Sequence, residues 1–132
     1  IQNVDSRKQI NAISTISNKH SSSYQANCKI LVHEIYKNEH NFVIKVNSET
    51  LLIEQVIFYN DHVSELSSYI TAGILNKNLH DVIHNKDSSP LNLVKSQIRR
   101  LADVMIQDTH YDLVMISVDS YIFMLCYMKY GK

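Results

Sequence analysis

The string Leu79-His80-Asp81-Val82-Ile83-His84-Asn85-Lys86-Asp87 holds the densest set of side chains able to bind a metal or move a proton. On a helix, His80 and His84 stand one turn apart on one face, so their imidazoles could grip a single divalent ion. Asp81 beside them could act on a metal-bound water or join the ligand set. The competing reading is structural: two surface histidines near a helix C-terminus, where partial positive charge is mildly favourable. Seven histidines scattered through a polar-rich chain are mostly bystanders, and the structural reading is preferred.

Two metalloenzyme families frame the first reading. Zincins use H-E-x-x-H; here Asp81 stands in place of the glutamate, a shorter acid that reaches a metal-bound water less well, and no third ligand is evident. Leu79-His80-Asp81-Val82 resembles the adjacent metal ligands of the HD-type metal-dependent phosphohydrolases. That resemblance implies that His80 and Asp81 hold a divalent ion on one helix of an all-helical core, where the ion polarises phosphate and activates water. It also implies an upstream His and a later Asp, for which His62 and Asp103 or Asp108 are available. The resemblance spans only about ten residues, and the apparent strands ahead of it fit an all-helical core badly.

Other catalytic patterns are missing. With two glycines the chain holds neither a P-loop nor a G-x-G-x-x-G fingerprint, and there is no G-x-S-x-G elbow. Cys126 lies inside an apolar run and reads as an inert buried thiol. Cys28 and His33, if on a strand, face opposite sides and make a poor dyad. Arg99 and Arg100 invite a phosphate-binding reading; the ordinary alternative, a solvated helix face with an Arg99–Asp103 pair, is favoured.

After the His pair, the next functional lead is apolar. Tyr121, Phe123, Met124, Tyr127, Met128 and Tyr130 crowd the end of the chain. Tyr and Met are over-used at protein interfaces because each joins apolar area to a polar or adaptable end. The competing expectation, that they simply close the core, is the more ordinary one. As an edge strand, such a run would need covering by a partner or by other parts of a longer parent chain.

Elements must position these groups. Ser89 and Pro90 read as the N-cap and first residue of a helix through Asp108, with Leu91, Val94, Ile98, Leu101, Ala102 and Met105 on one face. Residues 1–19 carry Val4, Ile10, Ile13 and Ile16 at helical spacing, followed by a polar connector, His20 to Ser23. Cys28–Tyr36 and Phe42–Val46 are rich in β-branched residues, and Lys37–Asn41 between them reads as a hairpin loop. Asn47-Ser48-Glu49 is a second turn, and Thr50–Tyr59 a third apolar run, strand or capped helix. Asn60-Asp61 starts a helix that Gly73 interrupts and that resumes to about His84. Tyr111–Val118 and Tyr121–Tyr130 form either two strands joined at Asp119-Ser120 or one buried helix.

Composition bounds the rest. A chain of 132 residues, 45% hydrophobic and 20% charged, is a single domain's worth, able to bury a core. Thirteen basic and thirteen acidic residues cancel, so no overall field draws it to nucleic acid. Two widely separated cysteines and the absence of any N-x-[ST] sequon lean toward a reducing, intracellular setting, the cytoplasm. No uncharged run is long enough to span a membrane.

The expected fold is a single α+β domain over residues 1–132, excised from a larger protein. It has an N-terminal helix, a three-stranded antiparallel sheet, two helices, and a C-terminal apolar hairpin or helix, with an all-α bundle as the alternative. The expected function is a non-catalytic protein-protein interaction or assembly domain without a cofactor, binding another protein or the rest of its parent chain through Tyr121, Phe123, Met124, Tyr127, Met128 and Tyr130. The alternative is a small HD-type phosphohydrolase using a divalent metal ion at His80, Asp81 and His84. Neither reading includes nucleic acid or a membrane span.

Overall fold

The computed structural model describes residues 22–37, 40–58, 65–93 and 98–129. The expected helix over residues 1–19, the start at Asn60-Asp61 and Tyr130 lie outside them. The described elements run α1 (Ser22–Lys37), β1 (Phe42–Asn47), β2 (Ile53–Phe58), α2 (Glu65–Ile74), α3 (Leu79–Val82), β3 (Ile83–Asn85), β4 (Ile98–Ile106), β5 (Thr109–Val118) and β6 (Tyr121–Met128).

All six strands join one curled antiparallel sheet in the order β2-β1-β6-β5-β4-β3. This overturns both the three-stranded α+β arrangement and the all-α bundle. The last strand is central: β6 pairs with β1 through Val43↔Leu125 and with β5 through Val114↔Leu125. The chain passes from the β2 edge to the β3 edge through α2 and α3, which close over one face, called inner here. Ile70, Ile74 and Leu79 from this crossing pack with Phe42, Ile44, Tyr111, Met124 and Cys126. Alternate residues of the same strands, Val43, Val114, Ile116, Phe123 and Leu125, form the outer face, which α1 covers with Cys28, Leu31 and Ile35. A sheet buried on both faces reads as continuous apolar runs, which is the texture of Leu113–Ile116 and Ile122–Cys126.

Three expectations fail for identifiable reasons. Cys28–Tyr36 is helix, not strand. Its buried positions are Asn27, Cys28, Leu31, Glu34 and Ile35, a helical period, with Lys29 and His33 exposed. Burial of that stripe outweighs the strand preference of Ile30, Val32 and Ile35.

In place of the helix expected over Ser88–Asp108, residues 88–93 are loop and Ile98–Ile106 is β4. Ser89 does not cap a helix: its N and Oγ donate to Asp87 Oδ1 at 3.0 and 2.6 Å, and Asn85 Nδ2 donates to Ser89 Oγ at 3.0 Å. The helical-looking spacing arises in a β-bulge. Leu101 faces Leu113 and Val104 faces Tyr111, so Ala102 and Asp103 together oppose Asp112. The extra residue moves the next inward side chain from the expected second position to the third, and a strand then imitates a helix. The Arg99–Asp103 pair has no part in this; Asp103 pairs with Lys86 and His110.

The third failure is at His80–His84. Asn78 caps α3, its side chain accepting from His80 N at 2.9 Å, but the helix ends at Val82 and Ile83 is extended. A single turn gives way to β3, whose Ile83 pairs with Ile106.

Turn chemistry closes the meander. Gln107 and Asp108 both have positive φ, as a two-residue hairpin between right-twisted strands requires. Gly73 of α2 lies against this turn. A Cβ there would meet the end of the Gln107 side chain, which would have to shift to admit it.

Candidate functional site

The expected metal ligands fall on two elements. His80 and Asp81 are exposed on α3, while His84 is half-buried on β3, where its Nδ1 donates to the Asn85 carbonyl at 3.0 Å. With the helix ended at Val82, the shared helical face on which the pairing of His80 and His84 relied is not present. Among the described residues no group of three or more His, Cys, Asp or Glu side chains is placed to hold a metal ion.

Of the expected interface residues, Tyr121, Phe123, Met124, Tyr127 and Met128 lie on β6, and Tyr130 is outside the described residues. Phe123 and Met124 are buried on opposite faces of the sheet, and Met128 packs at the rim of the inner core. Tyr121 is half-buried under Lys45, whose Nζ sits 4.1 Å from the ring centroid. Tyr127 differs from the rest, because its side chain reaches a surface groove on the outer face.

This groove, of about 340 Å³, lies where α1 leaves the sheet uncovered; Arg100, Ala102, Asp112, Leu113, Val114 and Tyr127 line it. The strand alternation explains the assembly. Asp112 and Tyr127 are direct partners across β5–β6, and Arg100 faces Val114 across β4–β5. Glu34 of α1 is 3% exposed and takes hydrogen bonds from Arg100 Nη2 at 3.1 Å to Oε2 and 3.4 Å to Oε1. A buried carboxylate needs such a partner, because desolvation without a counter-charge is costly.

Beside this pair the Tyr127 hydroxyl is buried and has no hydrogen-bond partner. Its pKa is pushed up to about 12, first by burial and then by the nearby Glu34 charge, so it stays a protonated donor. His40, also buried, meets the Tyr127 ring edge-on at 6.5 Å between centroids.

Next to the groove the bulge is held by polar contacts. Asp103, at φ 62°, donates its backbone N–H to Asp112 Oδ1 at 3.0 Å. His110 Nδ1 donates to Asp103 Oδ1 at 2.7 Å, and that hydrogen bond, ahead of the Lys129 and Lys86 charges, holds the Asp103 carboxyl below its ordinary range. Lys86 and Lys129 approach Asp103 and Asp112 at 3.5 and 3.9 Å.

Sequence reasoning singled out Arg100 and Tyr127 but gave each another role, and it passed over Glu34 and Asp112. A signal for Glu34 existed: an acid at helical spacing from Cys28, Leu31 and Ile35 is a charge on a buried stripe, which demands a partner. Among the described residues no helix is long and apolar enough to cross a membrane. No protein-family model, curated protein or solved structure matches the chain.

Proposed function

We propose that this chain is a non-catalytic protein-protein interaction or assembly domain, and that its partner docks along the groove over β4, β5 and β6. One observation carries the reading. A guanidinium with 58% of its side chain exposed, a buried carboxylate and a buried, unpartnered phenol hydroxyl meet over an apolar floor. Apolar floors with a few placed polar groups are how proteins recognise other molecules. Tyr36, two residues past Glu34, and Ile98, two before Arg100, add exposed apolar area on α1 and β4. Aromatic and Arg side chains are the usual anchors of protein interfaces. Of the β6 aromatics, Tyr127 carries the contact, while Phe123 and Met124 hold the sheet that supports it.

The test is a photo-crosslinking residue at Ala102, beside the groove, with the same residue at exposed Glu54 on β2 as control. A discrete adduct in native extract at position 102, absent at position 54 and lost with Arg100→Glu, is expected. No adduct at 102, or equal adducts at both positions, overturns the reading.

A further inference from the structure

We infer that β6 is an exchangeable strand: a second copy of this chain donates its own β6 into the slot between β1 and β5 and receives one in return. The inference stands apart from the groove and rests on the turn that leads into β6.

Two tight hairpins can be compared. At Gln107-Asp108, between β4 and β5, both residues have positive φ, the pattern that suits right-twisted strands. At Asp119-Ser120, flanked by the Val118↔Tyr121 pair, only Asp119 does, at φ 55°. A two-residue turn with positive φ at its first position alone favours glycine there, and Asp119 brings a Cβ instead. Strain is therefore stored in the turn that folds β6 back on β5. Drawn out straight, the two residues lose that strain and carry β6 away from its own β5 into a second molecule.

The slot makes the rest of the exchange nearly neutral. β6 is held along both edges, by Phe42–Asn47 of β1 and by Tyr111–Val118 of β5. Both its faces are buried, Ile122, Met124 and Cys126 inward and Phe123 and Leu125 outward. These contacts are remade when the same strand comes from another copy. β6 follows every other described element, so it can leave and enter without drawing another described strand through the sheet. Opening gives up the turn itself and the bond from Ser48 N to the Ser120 carbonyl at 2.9 Å. Short hinges under strain favour exchange.

The experiment refolds the full chain from urea at low and at high concentration and sizes it by sedimentation velocity. A dimer that forms at the high concentration and persists on dilution is expected. Because each dimer opens two hinges, Asp119→Gly should lower the association constant by about tenfold or more. Leu113→Cys in a Cys28→Ala background identifies the exchange, because position 113 lies directly across from Cys126 at a Cα spacing that a disulfide can bridge. After oxidation the dimer fraction should run as a covalent dimer on a denaturing, non-reducing gel, and the monomer fraction as a monomer. A chain that stays monomeric up to about 1 mM, a dimer whose disulfides stay within each chain, or an association unmoved by Asp119→Gly would each overturn the inference. None of these outcomes touches the Arg100-dependent adduct at position 102, so the groove reading stands or falls separately.

Discussion

Asp112 stands opposite the two bulged residues of β4 and accepts the backbone N–H of Asp103 on its Oδ1 at 3.0 Å. A bulge leaves one residue without a ladder partner, and here a carboxylate from the facing strand supplies it. Asp112→Ala therefore removes the acceptor for that N–H, and should cost about 1–3 kcal/mol in urea unfolding. Asp112→Asn keeps an oxygen in place and should cost less than half as much.

The Asp103 carboxyl is held below its ordinary value of 3.8, first by the hydrogen bond from His110. A carboxyl with a depressed folded pKa contributes stability that is present above the unfolded value and lost as pH falls through the folded one. His110→Ala should bring the Asp103 titration, followed by carboxyl-carbon NMR, up toward 3.8. It should also flatten the loss of stability below that pH. An Asp103 titration unmoved by the substitution would refute the assignment.

Tyr127 gives the opposite slope at the alkaline end. Its pKa of about 12 lies above the ordinary value of 10, so its contribution is present below 10 and lost as pH rises toward 12. Tyr127→Phe removes a buried hydroxyl that has no partner, and the protein should be unchanged or up to about 1 kcal/mol more stable at neutral pH. Ultraviolet titration should lose a phenol that ionises near 12.

Gly73 and Gln107 should be energetically coupled. Gly73→Ala alone must displace the Gln107 side-chain amide, which should offset part of the gain in helix propensity. In a Gln107→Ala background the space is open, and the same change should stabilise α2 by about 0.8–1 kcal/mol through helix propensity alone. Thermal unfolding of the four variants measures the coupling.

Arg100→Ala leaves Glu34 buried without its counter-charge. Because the guanidinium is itself largely exposed, the cost should fall near 2 kcal/mol, below that of breaking a fully buried pair. Adding Glu34→Leu should restore most of it, as measured in the same unfolding assay.

Part of the sheet was readable where composition and turn chemistry agreed. Phe42–Val46 is rich in β-branched residues beside a turn at Asn47, whose Oδ1 accepts from Glu49 N and Thr50 N, whereas the apolar runs on either side of Asp119-Ser120, which pair as β5 and β6, fitted two strands or one buried helix equally. What failed depended on information that is not local. Nothing in Cys28–Tyr36 announces that an entire sheet face waits to be covered, and strand composition misleads until that face is known. The bulge at Ala102-Asp103 hid β4, because its logic lies in Asp112 on another strand. The groove was hidden for the same reason: Glu34, Arg100 and Tyr127 are brought together only by the order of the strands.

That order also sets a schedule. β1 and β2 lie early in the chain, yet β1's second partner is β6, so Val43 waits for Leu125. During synthesis the early hairpin and the later β4–β5 meander are two unjoined halves, each with apolar faces and an open edge, until the last strand leaves the ribosome and slots between them. Pairing of such high sequence separation is slow, and the incomplete sheet is the species most exposed to aggregation. The clustered Tyr, Phe and Met of β6 thus act as the closing piece of the fold, and a ribosome stalled before Tyr121 should hold a protease-sensitive chain that becomes resistant once β6 has emerged.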